Sequence, residues 1–110
     1  MSTQTENLLR AMVNGDKEAR ITAVTVNLTP SLFTSQLVNE FPRKAIWAYN
    51  NSHVDSGECY YGYSNDITPL IKSRPIPLGC VIEIPVSDNI PIYFCCASGE
   101  LGDIRVEEVA

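Results

Sequence analysis

Hydrophobic and polar residues alternate along most of the chain, and this alternation predicts short β-strands. Ala19–Leu28 alternates and is rich in threonine and valine, which strands favour. The alternation in Cys80–Val86 and Asp103–Val109 places Ile82, Ile84, Ile104 and Val106 inward, and it places Arg105 and Glu107 outward. Pro91–Ala97 is an almost continuous apolar run, which is typical of a strand covered on both faces.

Six or seven such runs follow one another at intervals of about ten residues, separated by proline, glycine, asparagine and aspartate. This spacing predicts an all-β fold, a small antiparallel β-sandwich of jelly-roll or Ig-like type with a short N-terminal helix or arm. A small barrel fits the same spacing. We assign residues 1–20 to the arm or helix and residues 21–110 to the sandwich domain.

The central stretch, Pro42–Ser64, predicts a β-hairpin. Two runs of alternating character, Lys44–Tyr49 and Glu58–Tyr63, flank the polar segment Asn50–Gly57. Strand-forming residues on either side of a cluster of Asn, Ser, Asp and Gly are the usual signature of a hairpin. We therefore expect these two runs to pair as neighbouring strands.

The same stretch predicts an exposed aromatic surface. Ile46 and Ala48 share one face of the first strand, so Trp47 and Tyr49 lie on the opposite face. Tyr60 alternates in the same manner on the second strand. Because Trp and Tyr are enriched where proteins dock, we expect Trp47, Tyr49 and Tyr60 to form an interface patch. The alternative is that a second layer of the same chain covers them.

The N-terminal residues have a different pattern. Thr5–Asn14 places Leu8, Leu9 and Met12 at helical spacing, with Thr5 as a candidate N-cap. A short amphipathic helix is marginal alone and must dock, either on its own domain or on a neighbouring subunit. Leu8, Leu9 and Met12 are therefore candidate interface residues.

Two further segments are harder to assign from their pattern. Ser31–Phe41 fits either a helical turn or two or a strand. Asn65–Pro77 carries three prolines, so we expect it to be an extended and largely unpaired connection.

Composition and charge exclude several classes of function. With 110 residues, 45% of them hydrophobic, the chain has the size and composition of one globular domain. Its net charge of −5 argues against nucleic-acid binding, which needs a basic face. No run approaches the ~20 apolar residues of a membrane span. Residues 1–20 contain no apolar signal sequence, so we expect synthesis and folding in a cytosol.

The reactive residues do not form a catalytic or metal-binding pattern. In a reducing compartment the four cysteines are expected as free thiols, with Cys59 and Cys80 in the interior, and a Cys59–Cys80 disulfide is the alternative. Cys95 and Cys96 are adjacent on a strand and face opposite ways, so they do not chelate together. His53 is the single histidine and lies in a polar loop. No nucleophile, phosphate-binding or zinc-binding motif is present. We expect no enzymatic activity, no metal and no cofactor.

Six short motifs in the second half of the chain carry a resemblance to a known group of proteins. In order they are KAIWAYNNS (Lys44–Ser52), YYGYS (Tyr60–Ser64), IPLG (Ile76–Gly79), IEIPV (Ile82–Val86), PIYFCCASG (Pro91–Gly99) and DIRVEEV (Asp103–Val109). Their order resembles that in small tailed-bacteriophage virion proteins of the capsid decoration (cement) type. The chain departs from that group at Trp47, Cys80 and the Cys95-Cys96 pair, and by a longer Thr68–Pro77 connection.

The resemblance implies a β-sandwich that binds the outer surface of an icosahedral phage head and stabilises it by bridging capsomers. It implies the major capsid protein as partner, a homo-oligomer (trimer or dimer), and a place on the capsid exterior after synthesis in the host cytoplasm. A tail or head-fibre module is the alternative within the virion. A carbohydrate-binding sandwich is the alternative of another class, with Trp47, Tyr49 and Tyr60 as a stacking platform and Asn50, Asn51 and Asp55 nearby.

Overall fold

The regular structure of the protein consists of β-strands in two antiparallel sheets. The computed structural model describes residues 18–38, 42–54, 57–86, 89–97 and 101–110, and no helix occurs in them. The strands are β1 (Ala19–Val26), β2 (Ser31–Leu32), β3 (Ala45–Asn50), β4 (Cys59–Gly62), β5 (Arg74–Ile76), β6 (Val81–Glu83), β7 (Tyr93–Cys96) and β8 (Gly102–Val109).

The strand order identifies the type of sandwich. Sheet A has the order β1-β8-β3-β6, and sheet B has the order β2-β7-β4-β5. Among the described strands, β4 and β5 are the one pair that is adjacent both in sequence and in a sheet, and every other connection crosses between the sheets. This is the order of an eight-stranded jelly roll, whereas an Ig-like sandwich places several successive strands side by side. The all-β sandwich prediction is confirmed.

The core lies between the two sheets and contains the residues that alternation placed inward. Ile46, Ile104 and Val106 have no exposed surface, and Ile84 is 1% exposed. Ile82 packs against this cluster in a partly buried position. A shift of one residue would turn a whole strand face outward, so the predicted facing of these strands is confirmed.

The predicted hairpin between Lys44–Tyr49 and Glu58–Tyr63 is wrong. β3 lies in sheet A between β8 and β6, and β4 lies in sheet B between β7 and β5. The polar segment that separates them is therefore a crossing between sheets, and its turn-forming residues do not close a two-stranded ribbon.

Asn50 explains why the chain crosses at this point. It is the last residue of β3 and is fully buried, although its residue type suggested an exposed turn. Its Nδ2 donates to the carbonyl oxygens of Gly57, at 3.1 Å, and Ile76, at 2.8 Å. Its Oδ1 accepts a hydrogen bond from the N–H of Ser52 at 3.0 Å. A single buried amide thus ties the end of β3 to the crossing loop and to β5.

Three other sequence predictions have mixed outcomes. The prolines do not leave Asn65–Pro77 unpaired, because Arg74–Ile76 forms β5 and pairs with β4. Pro75 is tolerated there because β5 is an edge strand. Within Ser31–Phe41, the strand alternative holds for Ser31–Leu32, and residues 33–38 have no regular structure. The segment Thr5–Asn14, with Leu8, Leu9 and Met12, lies outside the described residues.

A buried ion pair closes one end of the core. Glu108 continues the inward row of β8 beyond Val106, and its side chain has no exposed surface. Arg43 Nη1 lies 3.3 Å from its carboxylate, and the Arg43 side chain is 5% exposed. The same carboxylate accepts hydrogen bonds from Ser35 Oγ, at 2.6 Å, and from the N–H of Gln36, at 3.0 Å. Glu108 therefore anchors the irregular segment 33–38 to sheet A.

Candidate functional site

The outer face of sheet A carries two aromatic side chains, Trp47 and Tyr49, among exposed apolar residues. Strand pairing sets its side chains in cross-strand rows. One row is Ile21, Glu107, Trp47 and Glu83, and the next is Ala23, Arg105, Tyr49 and Val81. Residues directly opposite on neighbouring antiparallel strands have Cβ atoms about 5 Å apart, so these rows are in contact. We call the set Ile21, Trp47, Tyr49, Val81, Arg105 and Glu107 the aromatic face.

The aromatic face surrounds a shallow concavity. Its volume is about 170 Å³, and all six residues of the set line it. Ile21 is 73% exposed, Val81 62% and Tyr49 38%, while Trp47 is partly buried between its neighbours. Apolar side chains that are this exposed contribute little to the stability of the fold. A cluster of them is typical of a docking surface.

Charged groups border the aromatic residues. Arg105 donates to Asp103 from Nε, at 3.1 Å, and from Nη2, at 3.0 Å. The hydrogen bond from Arg105 lowers the pKa of Asp103 below its ordinary value of 3.8, and partial desolvation opposes this shift. On the other row, Trp47 is paired with Glu107 on β8 and with Glu83 on β6. An aromatic centre with a charged border is the usual composition of a protein interface.

The three aromatic residues predicted to form one patch do not lie together. Trp47 and Tyr49 are side by side on sheet A, but Tyr60 lies on β4 in sheet B. Cys59 and Tyr61 of that strand face the core, so Tyr60 points to the outer side of the opposite sheet. Its hydroxyl donates to Glu58 at 3.1 Å. The grouping of Tyr60 with Trp47 and Tyr49 is wrong because it depended on the hairpin.

Sequence reasoning missed four members of the aromatic face. Arg105 and Glu107 were placed outward by alternation, but nothing in the sequence set β8 beside β3. Ile21 and Val81 belong to the two edge strands of sheet A and reach the face only through the strand order. Alternation in the sequence indicates that these residues share one face of their strands. It does not indicate which strands pair, and that pairing is what brings the residues together.

A second concavity lies at one end of sheet B. Its volume is about 240 Å³, and its lining includes Tyr61, Tyr63, Lys72 and Arg74. The rings of Tyr61 and Tyr63 meet edge to face with centroids 6.1 Å apart. Lys72 forms an ion pair with Asp66 at 2.6 Å. Lys72 also has a positive φ of 61°, an unusual conformation outside glycine.

The cysteines are free thiols in two different environments. Cys59, Cys95 and Cys96 are buried, whereas Cys80 is exposed. The expectation that Cys80 lies in the interior is wrong, because Cys80 is in the turn that precedes β6 and its N–H donates to the carbonyl of Pro77. Burial raises the pKa of the Cys59 and Cys95 thiols above 9.0. A raised pKa lowers the thiolate fraction and thus the reactivity of these thiols.

The described residues contain no group of three or more His, Cys, Asp or Glu side chains placed to hold a metal ion. Within the same residues, no helix has the length and apolar character needed to cross a membrane.

Comparisons with known proteins returned no matching family model, no matching curated protein and no matching solved structure.

Proposed function

We propose that this protein is a non-enzymatic structural module that docks on another protein through the aromatic face. The observation that carries the proposal is the placement of Trp47 and Tyr49 side by side on an exposed sheet, between two apolar edge residues, Ile21 and Val81. Truncating aromatic anchors of this kind in an interface typically costs ~2 kcal/mol or more of binding free energy.

The particular partner that we propose is the major capsid protein of a tailed phage, with the protein bound to the outer surface of the head as a decoration protein. This step rests on the resemblance of the motifs in Pro42–Val109. The fold is compatible with it, because jelly rolls occur in viral capsid domains, but they also occur in lectins. Fold alone therefore does not choose between these functions. The tail or head-fibre module remains the alternative within the virion.

Carbohydrate binding is the second candidate, and one observation favours it. Trp47 is flanked on the two neighbouring strands by Glu83 and Glu107, and an aromatic residue with acidic residues as neighbours suits a sugar ring and its hydroxyls. Of the polar partners expected from the sequence, Asn50 is buried with its amide bonded internally, Asn51 is exposed and bonds to Asp103, and Asp55 lies outside the described residues. Tyr60 is also on the other sheet.

Co-sedimentation with mature phage heads, with a matched pair of variants, tests the proposal. Tyr49→Ala should weaken binding by about thirtyfold or more, since a loss of ~2 kcal/mol corresponds to that factor. Tyr60→Ala removes a tyrosine of sheet B and should bind as the unaltered protein does. Equal binding by both variants would overturn the aromatic face as the docking surface, and no binding of the unaltered protein to heads would overturn the capsid proposal. Retention on a glycan column that is lost in Trp47→Ala would favour the carbohydrate candidate.

A further inference from the structure

One edge of sheet A is long and open. β1 pairs with β8 over all eight of its residues, and in the described part of the chain no strand pairs with its other side. The remaining three sheet edges are short: β6 and β5 have three residues each, and β2 has two. β5 also carries Pro75, which blocks pairing.

The backbone hydrogen bonds between β1 and β8 show which groups of β1 face the open side of the sheet. Glu18 and Ala110 exchange both of their backbone hydrogen bonds, at 3.4 and 2.8 Å. In an antiparallel ladder such pairs recur at every second residue, so the even-numbered residues of β1 bond to β8. The N–H and C=O groups of Ile21, Ala23 and Thr25 therefore point away from β8, to the open side.

The sequence of β1 does nothing to protect this edge. Proteins usually guard an exposed edge with lysine, proline, a bulge or an inward charge. β1 has no proline and no lysine, and its single charged residue, Arg20, is held by Glu18 at 2.8 Å. Ile21, whose backbone faces the open side, is 73% exposed. An unguarded edge of this length is a template for another strand.

We propose that β1 pairs with β1 of a second copy of this chain, antiparallel and about a two-fold axis through Ala23. This register sets Ala23 opposite its own equivalent, and Ile21 opposite Thr25 of the other copy. It satisfies the open groups with about six interchain hydrogen bonds, two for each bonded pair. β1 carries no acidic residue, so the net charge of −5 is not concentrated at the contact.

A second copy of the chain fits this edge for two reasons. In the antiparallel register the open N–H and C=O groups of one β1 meet those of the other, and the pairing places two aromatic faces in one sheet. A two-fold axis perpendicular to the sheet keeps both aromatic faces on the same side of one eight-stranded sheet. Five interstrand steps of about 4.8 Å then separate the two Tyr49 residues by roughly 24 Å. Two linked faces bind a repetitive surface more tightly than one. The dimer itself does not depend on which partner the faces bind.

The test measures mass and amide exchange of the full chain over about a hundredfold range of concentration. Light scattering should show the mass rise from 12.2 kDa towards twice that value. The amides of Ile21, Ala23 and Thr25 should become protected with the same concentration dependence, whereas those of Thr22 and Val24 are protected throughout by β8. Phage heads are absent, so failure here is distinct from failure of the docking function.

Matched variants on β1 and β6 show whether dimerisation depends on the β1 edge or on another surface. Ile21→Lys places a charge on the open edge and should leave the protein monomeric over the whole range. Val81→Lys places the same charge at a similarly exposed position on β6, at the far side of sheet A, and should still dimerise. Ala23→Pro removes an N–H that β8 does not use, and it should abolish dimerisation without lowering the melting temperature of the monomer.

Three outcomes would overturn the proposal. One is a monomer at every concentration with unprotected amides at Ile21, Ala23 and Thr25. Another is protection of these amides in a protein that keeps the monomer mass at every concentration, which would assign the edge to residues 1–17 of the same chain. The third is a dimer that persists in both Ile21→Lys and Ala23→Pro, which would place the contact elsewhere.

Discussion

The side-chain amide of Asn50 in sheet A donates a hydrogen bond to the main-chain carbonyl of Ile76 in sheet B at 2.8 Å. The bond is buried and joins the two layers where the chain leaves β3. Few contacts between the layers of a sandwich are polar, because its facing sides are mostly apolar. This one specifies where the crossing loop meets β5.

Replacing Asn50 by alanine should destabilise the protein by about 1–3 kcal/mol. The change leaves the carbonyl oxygens of Gly57 and Ile76 without their donor, and a buried unsatisfied group costs that much. Urea denaturation gives the free energy of unfolding. Asn51→Ala is the control, because Asn51 is exposed and its amide bonds only to Asp103 at the surface. Equal losses in the two variants would show that Asn50 does not organise the crossing.

Removing the carboxylate of Glu108 should cost more. Glu108→Gln removes the carboxylate that pairs with the buried guanidinium of Arg43, and breaking a buried pair from one side typically costs about 3–5 kcal/mol. Glu83→Gln changes an exposed carboxylate of the same sheet and should stay within about 0.5 kcal/mol of the unaltered protein. A loss for Glu108→Gln no larger than that of the control would contradict the anchoring role of this ion pair.

The buried thiols should make the protein labile in alkali. Burial raises the pKa of Cys59 and Cys95 above 9.0 in the folded state, so the folded protein holds these protons more tightly than the unfolded chain. Their contribution to stability is complete below the unfolded pKa and is lost as the pH rises through the folded pKa. We expect the melting temperature to fall above pH 9.0.

Two cysteine variants isolate this effect. Cys59→Ala should flatten the alkaline fall in melting temperature, because it removes one of the two buried thiols whose pKa is raised. Cys80→Ala removes an exposed thiol and should leave the slope unchanged. Tyr61, whose pKa burial also raises, is present in both variants and does not affect their comparison. An identical slope in the two variants would assign the alkaline loss to groups other than Cys59.

Local pattern predicted most of the strands but missed β5, and it failed where the fold depends on the pairing of distant segments. Alternation placed Ile46, Ile84 and Ile104 inward because a strand face is a property of a few consecutive residues. Alternation could not distinguish a hairpin from a crossing between the two sheets, because Asn and Gly occur in the loops of both. The burial of Asn50 depends on its hydrogen bond to Ile76 of β5, which is distant in sequence. Tyr60 was misassigned for the same reason.

The two edge strands of sheet A differ in length, and this difference limits how many copies of the chain can join through their sheet edges. β1 presents eight residues, and β6 presents three. When two copies join β1 to β1, the combined sheet ends in a β6 strand on both sides. A three-residue end has little capacity to recruit another strand, so growth stops at a closed pair. The same sheet with two long edges would polymerise into fibrils, and this asymmetry makes the pairing self-terminating.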